Sequence, residues 1–238
     1  MRTFIPNLVT MCNLCAGSIA VLCLIYGHLQ AAVWLVIGAA FADFMDGAIA
    51  RALGVFSSLG KQLDSLADVI SFGLVPGVML YGLLGAALQG GVWPETMVLA
   101  ALPAFLLTVF AAWRLGKFNI DHRQSEGFIG LPTPACTLFM VGLLVVYQTN
   151  RFGLGQVLGH PVVLYGILIA FSWLMVAEIP MFSLKFKGSR WAGNEIKYIF
   201  VAVSAVALIW MHEAAFSAII LLYIAMSIGR HLLTRNSG

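Results

Sequence analysis

The chain has 238 residues, of which 61% are apolar and only 10% are charged. Its mean hydropathy of +0.96 lies far outside the range of soluble globular domains, so that class is excluded. The apolar runs are continuous and not alternating, which argues against a membrane β-barrel. We therefore expect one all-α, polytopic membrane domain that occupies residues 1–238.

Apolar runs of about 20 residues, the length that crosses a bilayer as a helix, recur along the whole chain. The first run has no clear cleavage site and contains polar residues, so we treat it as a span and not as a signal peptide. In the third run, Pro76 lies close to Gly73 and Gly77 and predicts a kink. In chain order the sequence predicts about eight transmembrane spans: 6–27, 30–52, 61–88, 96–116, 133–149, 162–183, 195–210 and 213–233.

Positive charge is unequally distributed between the two predicted faces of the membrane. With eight spans and an internal N-terminus, twelve of the thirteen Lys and Arg residues fall on the inner side and only Arg151 falls on the outer side. This distribution follows the positive-inside rule, so we expect both termini to lie in the cytoplasm. The basic inner face suits anionic lipid head groups or phosphorylated substrates.

Four of the ten acidic residues, Asp43, Asp46, Asp64 and Asp68, fall within 26 positions of otherwise membrane-like sequence. An ionised carboxylate in apolar surroundings normally persists only with a partner, a metal ion or a water-filled cavity. The first two are three positions apart near the end of the second span, and the last two are four apart near the start of the third. Each pair therefore lies on one helical face. A short turn, Gly54 to Gly60, brings both pairs to the same depth and predicts a metal site that opens to the cytoplasm.

The residues around these carboxylates indicate which ligand they serve. Gly47, Ala50 and Gly60 permit close contact between helices, or they equally leave room for a ligand. Arg51 is suited to bind a phosphate in bidentate fashion. Oxygen ligands in this number favour Mg²⁺ or Mn²⁺, and a two-metal cluster binds pyrophosphate while it stabilises the leaving oxygen. The alternatives are structural ion pairs and a pathway for cations or protons. Ion pairing has too few partners, because only Arg51 and Lys61 lie near the four carboxylates. A pathway would also place charge near the middle of the membrane, whereas these carboxylates all lie at the cytoplasmic end of their spans.

The aspartates belong to a set of eight residues whose spacing resembles the signature of the CDP-alcohol phosphatidyltransferases: Asp43, Asp46, Gly47, Ala50, Arg51, Gly60, Asp64 and Asp68. The resemblance implies a six-helix core, which we place in residues 1–183, with an additional helix pair in residues 184–238. It also implies a homodimer and two bound divalent cations. The implied reaction transfers the phosphatidyl group of a CDP-linked lipid to an alcohol and releases CMP.

The resemblance assigns a role to each residue of the signature. Asp43, Asp46 and Asp64 would be metal ligands, and Asp68 would be both a ligand and the general base. The CDP pocket would be shaped by the remaining four, with Arg51 on a phosphate: Gly47, Ala50, Arg51 and Gly60.

Asn7 and Thr10 lie close to one face of the first span and are two further candidates for the CDP pocket. Hydrogen bonds between membrane helices are an equally good interpretation of these two residues.

Further motifs resemble the membrane-embedded phosphatidylserine synthases within this family: residues 6–10, 71–73, 114–115, 118–119 and 127–132. This second resemblance implies CDP-diacylglycerol as donor and L-serine as acceptor, with glycerol 3-phosphate or inositol as alternative acceptors. Arg114, Lys117 and Asn119 are candidates for binding the acceptor or the lipid phosphate. The pattern leads us to expect Arg at position 117. Lys117 keeps the positive charge but lacks the planar fork of Arg.

These expectations place the protein in the inner cell membrane, among membrane lipids and without a nucleic-acid partner. Glu178, near the cytoplasmic third of the sixth span, would either orient an acceptor ammonium or form a buried hydrogen bond to a neighbouring helix. From a different class of function, a metal-cation transporter that uses the carboxylates as a transit site remains the alternative.

Overall fold

The computed structural model describes residues 4–55, 57–121, 128–150, 153–182 and 194–235. Within these ranges the chain is a bundle of apolar helices with one short β-pairing. Five of its helical segments are long and apolar enough to cross a membrane, and Thr133–Thr149 and Pro161–Val176 are shorter apolar helices. The expected fold class, an all-α polytopic membrane bundle, is confirmed.

The first half of the chain contributes α1 (Phe4–Ile25), α2 (Leu29–Leu53), α3 (Ser58–Val69), α4 (Val75–Leu88) and α5 (Leu106–Ile120). A π-helical turn, Ile70–Leu74, joins α3 to α4 without a break, and a 3-10 turn, Leu99–Phe105, leads into α5.

The second half contributes β1 (Phe128–Ile129), α6 (Thr133–Thr149), the short α7 (Leu154–Leu158), α8 (Pro161–Val176), β2 (Pro180–Met181), α9 (Glu195–Met211) and α10 (Ala215–Arg235). The two strands pair in antiparallel register, Phe128 with Met181 and Ile129 with Pro180.

Each predicted span corresponds to a helical segment, but the sixth is shorter than predicted. The prediction ran from 162 to 183, whereas α8 ends at Val176. Pro180 has no N–H to donate to the carbonyl of residue 176, and its ring also disfavours a helical conformation in the preceding residue. The chain therefore leaves the helix before Pro180 and continues into β2.

The continuous rod of α3, the π turn and α4 forms the centre of the bundle. It packs against α1, α5, α6 and α8, and the side chains of α4 are almost all buried. Gly82 leaves room for the ring of Trp93, whose Nε1 donates to the carbonyl of Leu24 at 2.9 Å. Close packing around this rod fixes the position of α3 and of its aspartates.

The π turn lies directly after Asp68, where the sequence predicts a kink at Pro76. Because Pro76 has no N–H, the carbonyl of Phe72 loses its α-helical partner, and Thr137 Oγ1 lies 3.3 Å from it. Thr108 Oγ1 donates to the carbonyl of Gly73 at 2.9 Å. The hydroxyl of Thr108 thus satisfies part of the irregular backbone, whereas that of Thr137 is shared with the carbonyl of Thr133 at 3.0 Å. Turns of the π type are frequent at functional sites.

The turn between α2 and α3 is built from two capping residues. Gly54 ends α2 in the left-handed conformation (φ 62, ψ 30), and Ser57 begins α3 with its Oγ accepting from Gly60 N at 2.9 Å. Among the described residues, α1 packs against both α2 and α3, whereas α2 and α3 make few direct contacts with each other. The small residues therefore do not serve close contact between α2 and α3, although Gly60 lies close to Asn7 of α1, and room for a ligand remains as an interpretation.

The C-terminal helices are attached to the bundle mainly through α10, which packs on α6. Ser217 Oγ donates to the carbonyl of Phe139 at 2.7 Å, and Gly142 permits this close approach. Tyr223 donates to the carbonyl of Phe182 at 3.0 Å. The division into a core at 1–183 and a helix pair at 184–238 stays a prediction.

Candidate active site at the α2–α3 hairpin

Three of the four aspartates form one group. Asp43 from α2 and Asp64 and Asp68 from α3 each offer a carboxylate oxygen, and these oxygens all lie within 4.8 Å of one another. Oxygen ligands lie about 2.1 Å from Mg²⁺, so two oxygens on opposite sides of one ion are about 4.2 Å apart. The three carboxylates therefore need only a small adjustment to bind a common ion.

Asp64 supplies a second observation that fits a cation. Its Oδ1 is buried and has no hydrogen-bond partner among the described residues. A buried carboxylate oxygen without a partner is costly, and two further carboxylates close by increase the repulsion. A divalent cation at this position would remove both costs, so the donor set fits a metal ion.

Asp46 is positioned differently from the other three. It is buried, with 6% of its surface exposed, and its Oδ2 accepts a short hydrogen bond of 2.6 Å from Thr10 Oγ1. It lies outside the group of three oxygens, although it lines the same cavity as Asp64. The sequence predicts that all four carboxylates meet, and the structure brings three together with Asp46 beside them.

Asp68 is in contact with Asn13, a residue to which the sequence assigned no role in the site. Asn13 Nδ2 donates to Asp68 Oδ1 at 3.4 Å, and the carbonyl of Asn13 accepts from Ser71 Oγ at 3.1 Å. Asn13 is completely buried. Its only signal in the sequence is a polar side chain three positions after Thr10 in an apolar helix.

A cavity of about 450 Å³ adjoins the carboxylates, and we refer to it as the hairpin cavity. Its wall is formed by α1, by the end of α2 and by the start of α3. The wall includes Asp46, Asp64 and all six residues that the sequence assigns to the CDP pocket: Asn7, Thr10, Gly47, Ala50, Arg51 and Gly60. Their shared position agrees with that assignment, and their binding role stays a prediction.

Two glycines of the hairpin cavity have little room for a side chain. A Cβ on Gly60 would lie 3.0 Å from both Asn7 Oδ1 and Ser57 Oγ. A Cβ on Gly47 would lie 3.3 Å from a guanidinium nitrogen of Arg51. Glycine at these positions therefore keeps the polar groups of the wall, including the guanidinium, in their places.

Lys61 also lines the hairpin cavity, and the sequence treats it only as a nearby cation. Its Nζ donates to the carbonyl of Asn119 at 3.1 Å, so the start of α3 is linked to the end of α5. The side chain of Asn119 points to α3 as well, because its Nδ2 donates to Ser65 Oγ at 2.7 Å.

The other two acceptor candidates line a small cleft beside β1. Arg114 is buried, with its Nε lacking a partner among the described residues and its Cζ 5.8 Å from the ring centre of Phe118. Lys117 forms an ion pair of 3.1 Å with Glu178, on the surface of the protein. Because α8 ends at Val176, Glu178 lies beyond the helix and is exposed, so the expected buried hydrogen bond to a neighbouring helix is wrong; Glu178 instead pairs with α5 at the surface.

Comparison with known proteins identifies the family to which this site belongs. The family model for CDP-alcohol phosphatidyltransferase matches residues 3–184 of the chain. The chain belongs to this family. The resemblance seen in the aspartate pattern is thus confirmed, and so is the expectation that the protein is an enzyme.

Several relatives with one name are similar to this CDP-alcohol phosphatidyltransferase. The CDP-diacylglycerol–serine O-phosphatidyltransferase of Bacillus subtilis strain 168 is 31% identical over 176 residues, which covers 74% of this chain and 88% of that protein. The protein of the same name from Helicobacter pylori strain J99 is 31% identical over 177 residues, covering 73% and 70%. The one from Mycobacterium leprae strain TN is 33% identical over 158 residues, and the chain spans about half (49%) of its length.

The family match contains every residue of the hairpin cavity and both acceptor candidates in the cleft. It ends at residue 184, so α9 and α10 of this CDP-alcohol phosphatidyltransferase lie outside it.

Proposed function

We propose that this enzyme transfers the phosphatidyl group of CDP-diacylglycerol to L-serine, giving phosphatidylserine and CMP. The observation that carries the proposal is the group of three carboxylates, Asp43, Asp64 and Asp68, next to a cavity that also contains Arg51. The names of the relatives from Bacillus subtilis and Helicobacter pylori support CDP-diacylglycerol as donor and serine as acceptor.

The CDP part of the donor would bind in the hairpin cavity. Arg51 offers a planar guanidinium that matches two phosphate oxygens, and a charge-assisted pair of this kind is both strong and directional. Gly47, Ala50 and Gly60 would give the nucleotide its space, since their wall positions carry almost no side chain. Asn7 and Thr10 would complete the pocket from α1.

Two divalent cations, Mg²⁺ or Mn²⁺, would be held by Asp43, Asp46, Asp64 and Asp68. Carboxylate oxygens are the ligands that these ions prefer. The unpartnered Oδ1 of Asp64 supports a cation at this place. When bound, such ions neutralise the charge of the pyrophosphate and stabilise the oxygen that leaves.

Asp68 would act as the general base. The serine oxygen forms a bond to the phosphorus that carries diacylglycerol, and the hydroxyl proton passes to a carboxylate oxygen of Asp68. The bond from that phosphorus to the bridging oxygen breaks, and its electron pair leaves with CMP. Asn13, 3.4 Å from Asp68, orients the carboxylate. This single displacement uses no enzyme nucleophile, so a trapped phosphatidyl-enzyme intermediate would contradict it.

Arg114 and Lys117 would attract the serine carboxylate or the lipid phosphate. Arg114 supports this role because its Nε is buried and unpartnered among the described residues, so a carboxylate would satisfy it. Lys117 is paired with Glu178 at 3.1 Å. It would bind the same anion only if this ion pair opened or if its ammonium contacted both partners.

We also propose that the enzyme lies in the inner cell membrane as a homodimer, with both termini and the hairpin cavity facing the cytoplasm. The distribution of twelve inner and one outer Lys and Arg residues supports this orientation. A cavity on the cytoplasmic side would be directly accessible to a water-soluble acceptor such as serine.

Incorporation of labelled serine into lipid by the purified protein tests the proposal. The assay contains CDP-diacylglycerol and Mg²⁺ or Mn²⁺, with glycerol 3-phosphate and inositol in parallel reactions. Of the three alcohols, we expect only serine to give a lipid product and CMP. Incorporation of another alcohol instead would show that this alcohol is the acceptor and that the proposed type of reaction is right. Absence of CMP release with all three alcohols would contradict the proposed transfer reaction and favour a metal-cation transporter.

A further inference from the structure

The wall of the hairpin cavity includes a second cationic side chain, Lys61, whose contacts indicate a specific use. Lys61 lies three residues before Asp64 on α3, so the two side chains share one face of that helix. Arg51 reaches the same cavity from α2. The described wall therefore carries one cation from each helix of the hairpin, together with the carboxylates of Asp46 and Asp64.

The pyrophosphate of the expected donor has room for more than one cationic side chain beside the metal ions. A pyrophosphate presents two phosphate groups, and the fork of Arg51 matches the oxygens of one of them. An ammonium is a compact charge that binds a phosphate without requiring a planar geometry. Lys61 therefore suits the second phosphate group.

Lys61 is held in place by a closed ring of hydrogen bonds between α3 and α5. Its Nζ donates to the backbone carbonyl of Asn119 at 3.1 Å. Asn119 Nδ2 donates to Ser65 Oγ at 2.7 Å, and Ser65 Oγ donates to the carbonyl of Lys61 at 3.1 Å. Asn119 lies in the last turn of α5, where carbonyl groups have no partner within the helix. The ring restricts a side chain that would otherwise be mobile.

A restrained lysine keeps two of its three N–H donors available for a ligand, since in the described part of the chain its Nζ donates only to the backbone carbonyl of Asn119. Restriction before binding also lowers the entropy that the side chain loses when the ligand arrives. A lysine of α3 that only capped the end of α5 would not need to line the hairpin cavity.

We propose that Lys61 binds the pyrophosphate of the CDP-linked donor and that Asn119 is the positioning residue that holds Lys61 in the cavity. The inference rests on the proposed function for the identity of the donor. It gives Asn119 a role other than acceptor binding. It also makes the end of α5 part of the donor site. The contact that links them, between Lys61 and Asn119, involves no residue of the aspartate signature.

Binding of CDP to the purified protein in the presence of Mn²⁺ tests the proposal without any acceptor. Lys61→Met should weaken CDP binding by about tenfold, the usual loss for a hydrogen bond to a charged group. Lys61→Arg should restore part of the affinity because it keeps the charge. Asn119→Ala should weaken binding less, since the backbone carbonyl remains and only its anchor to Ser65 is lost.

Gln62→Ala is the matched control, because Gln62 is the exposed neighbour of Lys61 on α3 and is not part of the cavity wall. Its CDP affinity should equal that of the unchanged protein. In the complete reaction, Lys61→Met should raise KM for CDP-diacylglycerol and leave KM for serine unchanged.

Unchanged CDP affinity in Lys61→Met would overturn the inference, and reduced thermal stability with normal affinity would show that Lys61 only caps α5. Failure of the proposed function has a different signature, namely CDP binding that depends on Lys61 without transfer to serine. If the unchanged protein does not bind CDP, both proposals are wrong.

Discussion

Two cavities of similar volume in this protein differ completely in chemistry. The hairpin cavity, about 450 Å³, has Arg51, Lys61, Asp46 and Asp64 on its wall. A second cavity of about 560 Å³ lies between α6, α7, α8 and the start of α10, and we call it the apolar groove. Its described wall has no charged residue, and its one hydroxyl, on Ser217, is already bonded to the carbonyl of Phe139.

The comparison teaches that volume does not identify the active site of a membrane protein. Apolar walls have no energetic cost in lipid, so the apolar groove needs no explanation beyond packing. Charged side chains at membrane depth are costly, and they are retained where they bind ions or substrates. We therefore propose that the hairpin cavity is the functional one, and changes in the two cavities should have very different effects.

The largest effect should follow from removing divalent cations, which concerns the hairpin cavity alone. Treatment with a chelator should reduce serine transfer to background, because four carboxylates without cations repel the pyrophosphate. Adding Mg²⁺ or Mn²⁺ should restore the rate. An unchanged elution profile would show that the protein stays folded during the treatment, and full activity after complete metal removal would contradict the metal site.

Asp68→Asn should lower the rate of transfer by roughly 10²–10⁴-fold, the usual contribution of a general base. The amide has nearly the same shape, so thermal unfolding should change little. Asp121→Asn is a matched control, because Asp121 lies just after α5 and outside the hairpin cavity. A rate for Asp68→Asn close to that of this control would refute the role of Asp68 as base.

Arg51→Lys should weaken donor binding by about tenfold, because the charge remains and the bidentate geometry is lost. KM for CDP-diacylglycerol measures the effect, with KM for serine as the internal reference. An equal increase in both constants would mean that Arg51 supports the general structure of the site and does not bind the donor.

The smallest effect should come from one added methyl group in each cavity. Gly60→Ala places Cβ 3.0 Å from Asn7 Oδ1 and Ser57 Oγ, so a rise of roughly threefold in KM for the donor is expected from the crowded wall. Gly166→Ala in the apolar groove meets nothing within 4 Å, and its kinetics should be unchanged. A larger rise in KM for the donor in Gly166→Ala than in Gly60→Ala would contradict the distinction between the cavities.

The sequence predicted the convergence of the aspartates because that feature depends on local geometry. Spacings of three and four residues define helical faces, and a short turn sets the depth of both pairs. The same reasoning did not separate Asp46 from the other three. Its partner, Thr10, is 36 positions away, and only the packing of α1 against α2 brings the two together.

The contact between Lys61 and Asn119 shows why part of the arrangement was not predictable. Lys61 occupies an unspecified position of the signature, and Asn119 meets it only because α5 approaches the start of α3. Such contacts depend on how the whole bundle packs. The irregularity near Pro76 and the early end of α8 before Pro180 did have signals, since proline removes a backbone donor in both cases, but the π-helical form of the turn did not.

The account depends most on the claim that the hairpin carboxylates form a divalent-metal site joined to a nucleotide pocket. Binding of Mn²⁺ to the purified protein, followed by electron paramagnetic resonance with and without CDP, measures this directly. We expect about two ions per chain and tighter binding with CDP, and we expect both to be lost when Asp43, Asp64 and Asp68 are all changed to Asn. A folded triple variant that binds Mn²⁺ as well as the unchanged protein would contradict the account.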